Sequence, residues 1–182
     1  MESTTHDINR GLKGVYFDTT EASFIDGEIG ELLYRGYNIH DLAEKSTFEE
    51  VVYLLLYGVL PNKQQLLGLD TTLKANRAIP EDVVRIIDAV KDAHPMDVLR
   101  TGCSALGTME PEGGERSQTW VADRLTSSMA SMLLYWYHFS RDGKRIDEMA
   151  GGDTIAEHFL TLLDQNAPSE LARRALDSSL IL

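Results

Sequence analysis

Cysteine is almost missing from this chain: Cys103 stands alone among 182 residues, so no intrachain disulfide can form and the fold must hold by packing. Long apolar runs are missing too. The longest nearly apolar stretches, Val51 to Leu56 and Met129 to Tyr137, fall far short of the roughly 20 residues that cross a bilayer. No basic leader with an apolar stretch and a small-residue cleavage site opens the chain. These absences set the expectation of a soluble protein in a reducing, cytoplasmic setting with no membrane partner. Positive charge is also scarce, with 17 Lys and Arg against 29 Asp and Glu and a formal charge of -12. Nucleic acid is therefore not expected as a partner, because phosphate binding needs clustered Lys and Arg. An anionic ligand would need a locally basic pocket.

Metal and nucleotide patterns are lacking as well. The five histidines, His6, His40, His94, His138 and His158, show no metal-ligand spacing. Gly113-Gly114 and Gly151-Gly152 lie in acidic loops between helical patterns, where no strand precedes the glycines and no phosphate cradle is expected. Cys103, amid Leu99, Ala105 and Leu106, reads as a small core hydrophobe. No metal and no cofactor are expected.

What is present is apolar periodicity, with 43% hydrophobic residues, enough for a sizeable core. Met1 to Asn9 is polar and aperiodic, so residues 1–10 are expected to be disordered. Val15-Tyr16-Phe17, Ser23-Phe24-Ile25 and Leu32-Leu33-Tyr34 alternate with turn residues and predict a small hairpin-like start. Helical spacing begins after Gly36. Thr47 with Glu50 forms a capping-box pattern ahead of Phe48 to Leu56, a stretch apolar nearly all round and expected to be buried. Asn62 caps the next segment, Pro80 begins another, and Pro95 opens a helix that Gly107 closes. A long helix is predicted from Trp120 to about Ser140, then Thr154 to Asp164 after an Asp153 cap, and Ser169 to the end. The sum is about eight helices with short connections, an all-α architecture. Leu176, Leu180, Ile181 and Leu182 have no capping glycine, proline or polar tail after them, which sets the expectation that the chain is cut inside a helix.

Few polar groups could carry chemistry. His94, Asp97 and Arg100 are the densest cluster, read first as a cap, an acid at a helix start and an ion pair. Arg35, between Tyr34 and Gly36-Tyr37, offers a fork of donors that suits a carboxylate or holds a turn. Lys74 and Arg77, one helical turn apart, are a local surplus of positive charge and the candidate substrate-binding residues. A solvated face explains them equally well. From the residues alone no catalytic set is complete.

Leu33-Tyr34-Arg35-Gly36-Tyr37-Asn38-Ile39-His40-Asp41-Leu42-Ala43, followed by Ser46-Thr47-Phe48-Glu49-Glu50-Val51 and Leu55-Leu56-Tyr57-Gly58-Val59-Leu60-Pro61, closely resembles the opening signature of bacterial and archaeal citrate synthases. His94-Pro95-Met96-Asp97-Val98-Leu99-Arg100-Thr101 resembles a second block of the same family, in the same order. Leu133-Leu134-Tyr135-Trp136-Tyr137-His138 and His158-Phe159-Leu160 look most like the 2-methylcitrate synthases, which use propionyl-CoA in place of acetyl-CoA.

The resemblance spans about Gly11 to Leu182. It implies the N-terminal part of a large helical domain, truncated before the catalytic region, because the family's oxaloacetate-binding histidine, condensing histidines and aspartate, and arginine clamp would all follow Leu182. It implies a parent enzyme that condenses an acyl-CoA with oxaloacetate to 2-methylcitrate or citrate plus CoA. A carboxylate base takes the α-proton, a neutral histidine stabilises the enolate, and a second histidine assists attack. The chain alone is expected to be inactive. The alternatives are an ordinary citrate synthase of the TCA cycle and a non-catalytic helical dimerisation module. The resemblance also implies a homodimer through helices near 95–107 and 118–140, where Ala105, Ser127, Ser128, Ala130 and Ser131 would allow close approach.

Overall fold

The structure, a computed structural model, describes residues 11, 14–16 and 18–182. The elements are β1 Ser23–Asp26, β2 Glu31–Tyr34, β3 Tyr37–Asn38, α1 Ile39–Lys45, α2 Phe48–Tyr57, α3 Lys63–Ala75, α4 Glu81–Ala89, α5 Pro95–Met109, α6 Gln118–Asp142, α7 Ile155–Asp164 and α8 Glu170–Ile181. The architecture is all-α, with one small antiparallel sheet of order β1-β2-β3 at its start. Arg35 and Gly36 link β2 to β3 with φ of 48° and 85°, the left-handed pair of a tight hairpin turn. Arg35 is not a glycine and bears that backbone cost, while its Nη2 donates to the Leu55 carbonyl at 3.3 Å near the end of α2.

Val15 and Tyr16 lie outside the sheet, and Phe17 and residues 1–10 lie outside the described residues. Helix starts follow their caps. Thr47 Oγ1 accepts from Glu50 N at 3.3 Å while the Glu50 carboxylate accepts from Thr47 N at 2.9 Å. Asn62 and Gln65 repeat the arrangement on α3.

Four boundary or burial expectations are corrected. Gly107 does not end α5, which runs to Met109, because a glycine stops a helix by turning left-handed and Gly107 keeps negative φ. Thr154, not Asp153, caps α7, since the Asp153 side chain is drawn to Lys74. Pro80 is the N-cap of α4 rather than its first helical residue. In α2, Leu56 and Tyr57 are exposed while Glu49 is buried: the apolar stripe faces two neighbours, not every side.

Three apolar clusters hold the helices. The largest joins α4 to α7 through Val83, Ile87, Val98, Met132 and Leu162, all fully buried. Gly102 lets α5 close on α6, since a Cβ there would stand 3.0 Å from Met132 Sδ. A second cluster brings Ile181 of α8 onto Ile39, Leu42, Val51 and Leu54 of α1 and α2. A third joins Val52, Leu69, Leu73 and Ile155 across α2, α3 and α7. Each such side chain contributes about 1.5–3 kcal/mol of burial.

Candidate functional site

Several buried polar groups, Glu49, Arg77, Ser131 and His158, converge on the loop 147–154 between α6 and α7. Arg77, immediately beyond α3, is 3% exposed. Its Nη1 donates to the carbonyls of Gly151 and Gly152 at 2.7 and 2.9 Å, and Nη2 reaches the Thr154 carbonyl at 3.4 Å. Glu49, the second residue of α2, is 2% exposed and accepts from Ile155 N at 2.7 Å, which caps α7 from another helix. Burial pushes the Glu49 carboxyl up, opposed by that N–H donor, and burial pulls the Arg77 guanidinium down against the fields of Glu49, Asp153 and Glu157.

His158 of α7 is fully buried beneath this loop. Its Nδ1 lies 2.9 Å from the Ala150 carbonyl and its Nε2 3.2 Å from Ser131 Oγ. A carbonyl only accepts, so Nδ1 carries the proton and Nε2 is left as an acceptor facing the Ser131 hydroxyl, whose one proton is shared between Nε2 and the Glu148 carbonyl at 3.3 Å. Burial first, and Arg77 second, hold the ring pKa down to about 4, so it is neutral at pH 7. The glycines make the packing possible. A Cβ on Gly152, at φ +51°, would lie 2.6 Å from Glu157 Cγ and 2.8 Å from His158 N, and one on Gly151 would lie 2.4 Å from Thr161 Cγ2.

Lys74 and Arg77 thus meet on one loop, as their spacing allowed, but their charge is engaged there. Lys74 Nζ pairs with Asp153 at 2.9 Å on the surface. His94, Asp97 and Arg100 form a cap and an exposed ion pair at 2.9 Å on α5, and Cys103 is a half-buried free thiol. Ser127, Ser128 and Ser131 are fully buried within this chain. Ser127 and Ser128 donate back to the Asp123 and Arg124 carbonyls at 2.6 and 2.8 Å, so they do not offer a close-approach surface to a second copy. Among the described residues no group of three His, Cys, Asp or Glu side chains converges as a metal site, and no helix is long and apolar enough to cross a membrane.

Glu49, His158 and the buried Asp177, which accepts from Phe48 N at 3.2 Å, are polar anchors that spacing alone does not single out. An acid in the first turn of a helix reads as a dipole complement; what could have marked Glu49 is its place within an otherwise apolar pattern. Glu49 and His158 cannot act as an acid or base on a ligand while closed off from one. The chemistry of the loop site is positional.

An open apolar concavity lies elsewhere. A groove of about 290 Å³ runs between helices and is lined by Leu99 of α5, Thr126, Met129 and Leu133 of α6, Phe159 of α7 and Leu180 of α8, among others. Thr126 is the one polar residue along it.

Comparison with known proteins places these features. A family model described as "Citrate synthase, C-terminal domain" matches residues 11–182. The chain is 47% identical over 173 residues to a 2-methylcitrate synthase of Shewanella oneidensis, covering 94% of this chain and 46% of that protein. It matches a crystal structure of citrate synthase from Pyrobaculum aerophilum with a TM-score of 0.84 and 32% identity, over 100% of this chain and 48% of that one. It also matches citrate synthase of Thermoplasma acidophilum, solved as a ternary complex with carboxymethyl coenzyme A and oxaloacetate, with a TM-score of 0.87 and 25% identity, over 97% and 47%. The chain spans about half the length of the relatives it matches.

Proposed function

The chain belongs to the citrate synthase family, its residues 11–182 being matched by the family's model, and from that premise we propose that it is part of an enzyme that condenses an acyl-CoA with oxaloacetate. The reaction joins the acyl α-carbon to the oxaloacetate carbonyl, and water then cleaves the thioester to release CoA. Propionyl-CoA, giving 2-methylcitrate, is the favoured donor. The observation that carries this is the 47% identity to a 2-methylcitrate synthase over 94% of the chain, together with the Tyr135-Trp136-Tyr137-His138 and His158-Phe159 motifs. Acetyl-CoA, giving citrate as in the TCA cycle, is the second reading, favoured by the fold match to two citrate synthases.

The 182 residues act as framework and are inactive alone, a reading supported by the sealing of Glu49 and His158 inside the protein. No cofactor is required, acyl-CoA being substrate. The placement at the front of the parent rests on the Leu33 to Pro61 signature. Lys74 and Arg77 serve this reading as positioning residues for loop 151–154. A homodimer through the outer faces of α5 and α6 and a cytoplasmic setting complete it, the latter supported by the free Cys103.

The test is CoA release with oxaloacetate. A full-length chimera, in which this chain replaces the matched 46% of the S. oneidensis enzyme, is expected to turn over propionyl-CoA with a kcat/KM above that for acetyl-CoA, and the 182-residue chain is expected to release none. Preference for acetyl-CoA sinks the 2-methylcitrate reading, and release by the short chain sinks the framework reading.

A further inference from the structure

One carboxylate oxygen of Asp123, Oδ1, is buried without a hydrogen-bond partner among the described residues. The residue stands in the second turn of α6 and is 6% exposed. The groups around it are engaged elsewhere. Arg124, the next residue, turns to Glu110 at 2.7 Å and to the Asn76 carbonyl. The Ser127 hydroxyl, one turn on, donates to the backbone carbonyl of Asp123 at 2.6 Å rather than to its carboxylate. On α2, Tyr57 lies within the field of Asp123 and stacks on Tyr53 with ring centroids 4.2 Å apart, yet its phenol does not bond Oδ1. On α3, Lys74 pairs with Asp153, and Asp70 answers to Lys74, Asp153 and Glu50. Just beyond α3, Arg77 holds the carbonyls of the 151–154 loop. No neighbouring charge thus compensates Asp123, and burial pushes its carboxyl up.

A basic group from another chain would have to displace packed side chains to reach Oδ1, because this chain closes that atom off by itself. An ionised carboxylate there lacks both water and a counter-charge, so the packing favours the neutral acid. The cost of ionisation falls beside a buried ion pair: Arg124, also 6% exposed, ties α6 to Glu110 after α5 and to Asn76 after α3.

We propose that Asp123 is a proton-operated latch for the start of α6: with the carboxyl neutral, the first turns of α6 stay closed on α2 and on the Arg124–Glu110 pair, and with it ionised they open to water. The folded carboxyl keeps its proton above the ordinary value of 3.8. The closed form is therefore fully favoured below 3.8 and loses ground as pH rises through the folded value. His158 acts in the opposite direction, on α7, so the two are separable by place. The latch belongs to this chain's own packing and stands whichever acyl-CoA the parent takes.

Amide exchange of the 182-residue chain at pH 5 and pH 8, corrected for the intrinsic rate at each pH, reads the local opening. The opening equilibrium at Val121 to Leu125 is expected to rise about threefold or more between the two, and to stay level in Asp123→Asn, which keeps the shape and cannot ionise. Asp123→Leu, which brings no polar group at all, is expected to stay level too. Amides of α4 near Val83 and Ile87 are the control and should show no such rise. A rise of equal size in either variant, or a level parent chain, overturns the proposal. An Asp123 carboxyl carbon resonance that titrates at the ordinary 3.8 overturns it as well.

Discussion

At the scale of single residues, His158 carries the clearest pH signature. Its pKa is held down to about 4 in the fold against an ordinary value near 6.5. Above that ordinary value the ring is neutral folded and unfolded, and the native contacts with Ala150 and Ser131 count in full. As pH falls from 6.5 toward 4 the unfolded chain takes up a proton that the folded ring refuses, so stability is lost across that window, by at most about 3 kcal/mol. The buried carboxylates act in the opposite sense. Burial raises Glu49, Asp123 and Asp177, so their contribution is full at acid pH and declines as pH rises through their folded values. His158→Asn keeps a side-chain N–H for the Ala150 carbonyl and removes the titration. Urea unfolding at pH 7 and pH 4.5 is expected to show a smaller acid loss in the variant than in the parent chain, and equal losses would show that His158 does not set the slope. Little of this was legible beforehand. The histidine was visible in the sequence, but its burial depends on Ser131 and on a loop folded back by two glycines, and neither leaves a local mark.

At the scale of elements, legibility was good at several starts where a side chain closes its own helix. Thr47 with Glu50 and Asn62 act within three residues of themselves, and those starts follow from the pattern, whereas α6 starts after its Ser117 cap, two residues before the expected Trp120, and Ser169 is the cap of α8 rather than its first residue. Legibility failed where a partner lies far along the chain. Arg77 reaches carbonyls 74 to 77 residues away and Glu49 an amide 106 residues away, so a lone cation after α3 looked available for a ligand. The guanidinium instead fastens the 147–154 loop to α3, and α7 starts where that loop is fixed. A compact ammonium cannot span three carbonyls. Arg77→Lys is therefore expected to lose about 3 kcal/mol, the worth of one or two charge-assisted bonds, read as a lower midpoint in urea. Faster amide exchange at the start of α7, with α4 unchanged, would accompany it. If stability is unchanged while KM of the chimera for acyl-CoA or oxaloacetate rises, Arg77 touches the ligand and the positioning role is wrong.

At the scale of the whole molecule, the fold is closed by α8 returning to the first helices. Ile181 is 2% exposed within the cluster of Ile39, Leu42, Val51 and Leu54. Asp177 caps α2 through Phe48 N at 3.2 Å, and Ser178 Oγ donates to the Ala43 carbonyl at 3.2 Å. The sequence pattern made the apolar residues around Ile181 look like an unfinished surface. In the fold they divide, Ile181 inward and Leu180 and Leu182 outward. That division makes α1, α2 and α8 one packing unit beside the larger α4–α7 core, and such a unit should open together. Ile181→Ala removes most of a buried side chain from its centre and is expected to lower stability by about 3 kcal/mol. Hydrogen exchange should then quicken in α1, α2 and α8 alike, while amides of α4 and α6 near Val83, Ile87 and Met132 keep their protection until global unfolding. Exchange that quickens in α8 alone would show that the helix frays by itself and that α1 and α2 stand without it.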